Sequence, residues 1–165
     1  MDTAAPPALQ RVNPVRPPLP AEISYTDYHH PRAGFAVRYP SFLAPFASPH
    51  NNNGVTFRDG DRVALTITAS PDLYPAQTNE EQLRMAMDRR GTDGSTEVTD
   101  RRALTDGYVG SGTHGTRAFY ERRLRTAGRV VTLAFDYDAV LRDRMGPVVD
   151  EVVRSVRVGA ARDDD

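Results

Sequence analysis

Alternation of apolar and polar residues runs through much of the chain and predicts β-strands. It is clearest in RVALTITAS (residues 62–70) and recurs in GFAVRYP (34–40) and RVVTLAFDYD (129–138). Successive side chains of a strand point to opposite faces, so a shift by one residue would expose the whole apolar set to water. We therefore expect a well-specified register. Residues 35–137 are predicted to build one curved β-layer whose apolar side is covered by helices.

Further β-favouring segments, separated by breaker residues, complete the predicted strands. They are ISYTDY (23–28), VTF (55–57), STEVTDRRAL (95–104), GYVGSG (107–112) and TRAFYERRLRT (116–126). The predicted turns are HHPRAG (29–34), RDGD (58–61) and TAG (126–128), and SFLAPFASPHNNNG (41–54) is interpreted as a loop. The last four strands follow one another directly, which predicts an antiparallel meander.

Two segments carry helical signals. In TNEEQLRMAMDRRG, Thr78 and Glu81 form a capping box and Gly91 occupies the C-cap. In AVLRDRMGPVVDEVVRSV (139–156), apolar residues recur at helical spacing. Pro147 there predicts one loose turn followed by a helix that begins at the proline. Grouped strands separated by single helices are typical of an α+β fold, with an antiparallel β-sheet flanked by helices.

The arginine-rich segment RAFYERRLR (117–125) raises the possibility of a nucleic-acid-binding strand. Alternation places Phe119 and Tyr120 on opposite faces and puts arginines on both. A nucleic-acid-binding sheet gathers stacking aromatics and phosphate-binding groups on one face. The net charge is -1, and all 21 basic residues are Arg, which indicates compositional bias. We predict a strand with one face on the core and its end in water, and no nucleic-acid partner.

A length of 165 residues suits a single domain with one core. Six of the first twenty residues are Pro, so we expect a disordered linker over residues 1–22, the domain over 23–158 and a disordered tail over 159–165. The absence of Cys excludes disulfides and thiolate chemistry. No apolar run is long enough for a transmembrane helix. One hypothesis is that the initial Met replaces a removed export signal, so that membrane attachment would need a missing N-terminal anchor.

Histidine and serine residues offer two candidate sites, and each has a more ordinary interpretation. His29 and His30 are adjacent, so in an extended chain they point apart and do not readily share a metal ion. Ser111 and His114 stand between glycines in GSGTHG (110–115), which lacks the strand-turn-helix context of a nucleophile elbow. We interpret those glycines as turn positions with positive φ.

Two acidic residues near the end of the last strand form another candidate. Asp136 and Asp138 share one strand face and flank Tyr137. They either perform acid–base work or are solvated and paired with arginine, and the second interpretation is the more common. No nucleotide, cofactor or hydrolase motif is present. We therefore expect no enzyme activity, no metal and no cofactor.

Apolar residues in two predicted loops form the candidate binding site. Phe42 and Phe46 lie in SFLAPF (41–46), and Tyr74 lies in PDLYP (71–75). These loops either fold over a sheet end and complete the core, or expose a patch to a protein partner or an apolar ligand. The exposure of the three aromatic side chains distinguishes the two interpretations.

Framework motifs spread over most of residues 25–158 resemble one family. They are DYHHPRAGFAVRYPSFL (27–43), NGVTFRDGDRVALTITAS (53–70), GYVGSGTHGTRAFYERR (107–123), VVTLAFDY (130–137) and VVDEVVRSV (148–156). Together they resemble bacterial PsbP-like proteins, which share a fold with the photosystem PsbP subunit and the nuclear Mog proteins. The resemblance implies a Mog/PsbP-like α/β/α sandwich.

The same resemblance shapes the functional hypotheses. Bacterial members are commonly exported, often with a lipidated cysteine and a flexible linker, and are generally non-catalytic. It therefore implies a non-enzymatic binding or accessory domain of an exported bacterial protein. One alternative is a small-ligand-binding or hydrolytic enzyme that uses Ser111 with His114, or Asp136 with Asp138. Another is an intracellular chaperone or trafficking partner.

Overall fold

The computed structural model describes residues 17–46, 53–126 and 128–159. Its strands are β1 (Tyr25–His30), β2 (Phe35–Pro40), β3 (Ala44–Phe46), β4 (Gly54–Asp59), β5 (Val63–Pro71), β6 (Thr96–Leu104), β7 (Gly107–His114), β8 (Arg117–Thr126), β9 (Arg129–Asp138) and β10 (Arg157–Val158). Its helices are α1 (Asn79–Arg90) and α2 (Arg142–Ser155). Short 3-10 turns follow α1 and precede α2.

The strands form two antiparallel sheets. A three-stranded sheet has the order β1-β2-β10, and a seven-stranded sheet has the order β3-β4-β5-β9-β8-β7-β6. The expectation of a single layer is therefore wrong for the first hairpin, because β2 pairs with β1 and β10 and not with β4. The predicted meander is confirmed, since β6 to β9 lie side by side in chain order.

Hydrophobic residues pack on both faces of the seven-stranded sheet. The main core lies between this sheet, the three-stranded sheet and α2, and it includes Leu65, Leu133 and Val152. A smaller core under α1 joins Leu83 and Met87 to Tyr108 and Phe119. The predicted single apolar side is wrong, because the two helices cover opposite faces. The result is the expected α+β fold, an antiparallel sheet flanked by helices.

The capped helix agrees with its sequence signals. Thr78 accepts a hydrogen bond from the N–H of Glu81 at 3.1 Å, and the Glu81 carboxylate accepts one from the N–H of Thr78 at 3.1 Å. Gly91 occupies the C-cap with a right-handed φ of -80°. The left-handed glycine comes three residues later, at Gly94, because a 3-10 turn extends the helix end.

Three of the differences from the predicted elements concern β1, β3 and α2. β1 runs to His30, so both histidines lie in a strand and not in a turn. Residues 44–46 form β3 instead of a loop. Pro45 is compatible with this because β3 is an edge strand, where a residue without an N–H group need not donate to a neighbouring strand. α2 begins at Arg142 and continues through Pro147. The proline removes one helical hydrogen bond, and burial of Met145 and other apolar residues offsets that loss.

The segment RAFYERRLR lies in strand β8, and each face of this strand carries buried residues. Ala118 joins the main core and Phe119 joins the smaller core on the opposite face. Arg122 is buried and donates a hydrogen bond to Asp106 at 2.7 Å. The prediction of one face on the core is therefore incomplete, because the smaller core under α1 covers residues on the second face as well.

The described part of the predicted linker contacts the folded domain. Leu19 is buried in the main core. The carbonyl of Pro17 accepts a hydrogen bond from Arg62 at 2.6 Å, and the carbonyl of Pro20 accepts one from Arg144. The packed region therefore begins before residue 22. Residues 1–16 and 160–165 of the predicted linker and tail lie outside the described residues.

Candidate functional site

The two adjacent histidines have different environments. His30 is buried, and its Nδ1 accepts a hydrogen bond from the N–H of Ala33 at 2.9 Å. His29 points to the other face of the three-stranded sheet and is exposed. No group of three metal-ligating side chains occurs within residues 17–46, 53–126 and 128–159.

The structure does not bring Ser111 and His114 together. Both residues lie in β7, where an odd separation places them on opposite faces. His114 Nδ1 instead contacts the hydroxyls of Ser95 and Thr96, at 3.1 Å and 2.9 Å. Of the glycines in GSGTHG, Gly115 alone has positive φ. The turn interpretation is therefore wrong for the other two, which lie within the strand.

The carboxylates of Asp136 and Asp138 share one face of β9 and converge on one guanidinium. Arg117 makes an ion pair with each of them, at 2.7 Å for Asp138. Burial alone lowers the pKa of Arg117, but the hydrogen bonds and charges of the two aspartates outweigh it and raise that pKa. The two acids therefore neutralise a cation at the strand end, which agrees with the more common of the two interpretations.

The three aromatic residues of the candidate binding site separate into two groups. Phe42 is half-buried and packs against the main core. Phe46 and Tyr74 are 57% and 55% exposed. The loop interpretation in which these residues complete the core therefore holds for Phe42, while Phe46 and Tyr74 lie at the surface.

Phe46 and Tyr74 border a part of the seven-stranded sheet that α1 leaves uncovered. α1 packs on β6 and β7, toward one edge of the sheet. The same face continues over β9, β5 and β4 as a floor of half-buried small residues, and we call this region the open face. Its floor consists of Thr56, Ala64, Thr66, Thr68, Thr132 and Ala134, and its rims carry Phe46 and Arg58 on one side and Tyr74, Met85, Arg89 and Arg123 on the other.

The β-register brings the small side chains of this floor together. Thr56 pairs with Thr66, and Thr68 pairs with Thr132, so threonines lie side by side on neighbouring strands. The hydroxyls of Thr56 and Thr66 are 3.3 Å apart, within hydrogen-bond distance. From β3 to β8 there are four strand spacings, so the open face is roughly 19 Å wide.

Three arginines on the rims have no carboxylate partner among the described residues. Arg58 lies over the ring of Phe46, with its guanidinium carbon 4.9 Å from the centroid. Arg89 and Arg123 line a groove of about 150 Å³ beside Tyr74. By contrast, Arg90 on the same helix is paired with Glu121 at 2.8 Å. The rims therefore carry positive charge that the described part of the chain does not compensate.

Two buried polar atoms in this groove lack hydrogen-bond partners among the described residues. They are Nε of Arg123 and Oε1 of Gln82. The side-chain NH2 group of Gln82 donates a hydrogen bond to the carbonyl of Tyr74 at 3.3 Å, and this bond orients the amide. A buried polar group without a partner is costly, so the two atoms mark a local energetic cost in the packing beneath the groove.

The arginines of the rims were missed at the level of sequence. Strand alternation does place Arg123 on the same face as Phe119. Because every basic residue of the chain is Arg, no single arginine stands out in the sequence. Whether a given arginine has an acidic partner depends on contacts between distant segments. Phe46 and Tyr74 could be found from the sequence because large apolar residues in short connecting segments stand out.

Comparison of the sequence with protein-family models gives no match, and comparison with curated proteins gives none either. Solved structures do resemble the backbone. Cyanobacterial PsbP (CyanoP) from Synechocystis sp. PCC 6803 has a TM-score of 0.63 and 19% identity, covering 82% of this chain and 92% of that one. The chain has a PsbP/Mog-like fold. The resemblance inferred from the sequence motifs is thereby confirmed for the fold.

Two further structures support the PsbP/Mog-like fold. The Ran-binding protein Mog1p of Saccharomyces cerevisiae has a TM-score of 0.60 and 9% identity, covering 83% of this chain and 96% of Mog1p. LpqN of Mycobacterium tuberculosis, described as involved in cell envelope biogenesis, has a TM-score of 0.51 and 14% identity, covering 84% of this chain and 92% of LpqN. Within the described residues, no helix combines the length and apolarity that crossing a membrane requires.

Proposed function

We propose that the chain is a non-enzymatic binding domain that holds an acidic protein partner against the open face. The observation that carries this proposal is the combination of exposed Phe46, Tyr74 and Met85 with Arg58, Arg89 and Arg123, which have no carboxylate partner among the described residues. Aromatic residues, methionine and arginine are the residues enriched in protein interfaces and in their hot spots.

The shape of the open face favours a protein over a small apolar ligand. The groove beside Tyr74 has a volume of about 150 Å³, whereas sites for small ligands usually have about 300–1,000 Å³. A floor of small side chains roughly 19 Å wide instead suits the broader contact of a protein interface. Arginines on both rims, with no carboxylate partner in the part of the chain that the structure describes, favour acidic groups on that partner through charge-assisted hydrogen bonds.

The structural neighbours support a binding role without identifying the partner. Mog1p is described as a Ran-binding protein, so a chain of this fold binds a protein in at least that case. Ser111 and His114 lie on opposite faces of β7, and Asp136 and Asp138 are both paired with Arg117, so neither candidate set lends support to the enzyme alternative.

Photo-cross-linking in the native host tests this proposal. A benzophenone amino acid at Phe46 or at Tyr74 is expected to give the same discrete protein adduct, and the R89E/R123E variant is expected to lose it. Arg84 is exposed on α1 and lies outside the groove, so R84E is the matched charge control. The same adduct from Val140, which is 90% exposed and outside the open face, would contradict the proposal. An adduct that nuclease removes would favour nucleic acid instead.

We propose further that the domain is exported. LpqN is described as involved in cell envelope biogenesis, so a chain of this fold takes part in that process in at least one case. Fractionation of the native host with an antibody to the domain tests this. Recovery outside the cytoplasm is the expected result. Recovery in the cytoplasm would contradict it and favour the intracellular chaperone or trafficking alternative.

A further inference from the structure

A second surface lies on the three-stranded sheet, apart from the open face. It is a cavity of about 770 Å³ between the outer side of β1 and β2 and the C-terminal end of α2. We call it the outer pocket and define it by Asp27, His29, Ala36, Arg38, Arg154 and Arg157. Its volume is within the range of small-ligand sites. A neighbouring cavity of about 350 Å³ shares His29, Ala36 and Arg157 with it.

The strand register explains the shape of the outer pocket. Ala36 pairs with His29 on one side and with Arg157 on the other, so the three side chains form one row on the same face. The methyl group of Ala36 is the smallest of the three and leaves space between its neighbours. Phe35 and Val37 point the other way, into the main core.

A serine holds the end of α2 against β2 at the side of the outer pocket. Oγ of Ser155 accepts a hydrogen bond from the N–H of Arg38 at 2.9 Å, just beyond the point where β10 stops pairing with β2. The same hydroxyl donates to the carbonyl of Val152 at 2.7 Å. This contact places Arg154, in the last turn of α2, beside Arg157 at the start of β10.

The charges in the outer pocket do not balance. Two carboxylates line the outer pocket, those of Asp27 and Glu151. Arg38 makes an ion pair with each of them, at 3.4 Å in both cases. Arg154 and Arg157 have no carboxylate within ion-pair distance among the described residues. Arg157 donates through Nη1 to the carbonyls of Arg154 and Val156. The remaining guanidinium N–H groups of Arg157, and all those of Arg154, make no hydrogen bond within the described part of the chain.

We propose that the outer pocket binds a small organic anion. Its carboxylate or phosphate group is held by Arg154 and Arg157, and its apolar part lies over Ala36. A guanidinium presents paired N–H donors that match both kinds of oxyanion, and such charge-assisted bonds are stronger than neutral ones. The pocket lies on a different sheet from the open face, so the proposal does not depend on the proposed function.

NMR titration of the full chain with phenyl phosphate, benzoate and inorganic phosphate, at matched ionic strength, tests the proposal. We expect saturable shifts of the backbone amides of Ala36, Arg38 and Arg157. We expect phenyl phosphate or benzoate to bind more tightly than inorganic phosphate, because only they have an apolar part. The tighter of the two aromatic probes identifies the preferred oxyanion, and either result supports the shared chemistry.

Charge reversal in the outer pocket provides the decisive comparison. R154E and R157E are each expected to weaken binding about tenfold or more, since each removes charge-assisted hydrogen bonds to the anion. R84E makes the same change of charge on α1 and is expected to leave the dissociation constant unchanged. Both pocket arginines are exposed, so the variants should fold, and the NMR spectrum verifies this. Absence of saturation, or equal effects of R84E and the pocket variants, would overturn the proposal.

Discussion

Met87 of α1 lies directly over Gly110 of β7. A β-carbon built on Gly110 would be 2.6 Å from Cε of Met87, and the Met87 side chain is fully buried. The helix can approach the sheet this closely because the strand carries no side chain at that point. The glycine in GSGTHG therefore serves the packing of α1.

The first prediction is that Gly110→Ala destabilises the protein. Overpacking of a filled core costs about 1–3 kcal/mol, and the methionine can relieve only part of it. Urea denaturation measures the loss. Gly91→Ala is the matched control, because that position has free space and right-handed φ, so stability should be unchanged or slightly higher. Equal stability of G110A and the wild type would show that α1 does not pack against β7 as described.

The second prediction concerns the hydroxyl of Tyr108. It donates to the carboxylate of Glu121, which also accepts a hydrogen bond from Arg90 at 2.8 Å. Tyr108→Phe leaves one carboxylate oxygen without its donor in a largely buried site, at a cost of about 1–3 kcal/mol. The exposed Tyr74→Phe should change stability by less than about 0.5 kcal/mol. Both are measured by denaturant unfolding.

The same tyrosine should make stability fall at alkaline pH. Burial, followed by the charge of Glu121 and the hydrogen bond to it, raises the pKa of Tyr108 above its ordinary value. Above about pH 10 the unfolded chain loses this proton while the folded chain keeps it. The free energy of unfolding therefore falls by up to about 1.4 kcal/mol per pH unit. Between pH 9 and 11 the wild type should therefore lose stability more steeply than Y108F. Identical slopes would contradict this.

The third prediction concerns the loop that carries Tyr74. Arg125 bonds the carboxylate of Asp72 at 2.9 Å, the carbonyl of Gln77 at 2.8 Å and the side-chain oxygen of Asn79 at 2.8 Å. Arg125→Met should cost about 3 kcal/mol because it leaves a buried carboxylate unpaired. It should also speed hydrogen exchange at the start of α1. Arg84→Met, on the exposed side of α1, is the control and should do neither.

Asp72 gives this loop an acid dependence. Burial alone raises the pKa of Asp72, but hydrogen bonds from Arg125 and the N–H of Tyr74, together with the charge of Arg125, outweigh it and lower that pKa. The stability that Asp72 contributes is therefore present above about pH 4 and lost as the pH falls below it. Unfolding of Asp72→Asn, measured between pH 2 and 5, should depend less on pH than unfolding of the wild type.

Local signals predicted most of the elements. The alternation around Leu65 and Leu133 placed both strands with their correct inward faces, because a half-buried strand needs period two in its own sequence. Thr78 and Glu81 located the start of α1, because a capping box is contained within four residues. The resemblance of framework motifs then gave the α/β/α arrangement.

Features that depend on contacts between distant segments could not be read in this way. Period two shows that Phe35 points inward, but not that its strand leaves the large sheet to pair with β10. Pro147 breaks helices in isolation, and only the packing of α2 on the main core overrides it. That Arg89 and Arg123 have no acidic partner within residues 17–46, 53–126 and 128–159 depends likewise on the folded arrangement.

The last prediction separates the exposed aromatics from the packed one. Phe46 and Tyr74 lie at the surface, whereas Phe42 packs against the main core. Phe46→Ser and Tyr74→Ser should each change stability by less than about 0.5 kcal/mol. Phe42→Ser should cost about 2 kcal/mol or more, because it removes buried apolar surface and leaves a cavity.

Hydrophobic-interaction chromatography adds the readout that stability alone lacks. F46S and Y74S should elute earlier than the wild type, because each removes apolar surface from the open face. If F42S were as stable as the wild type and also eluted earlier, Phe42 would belong to the exposed patch. If F46S destabilised the protein by as much as F42S, the rim that carries Phe46 would be part of the core. The open face would then have only Tyr74 as an exposed aromatic residue for a partner.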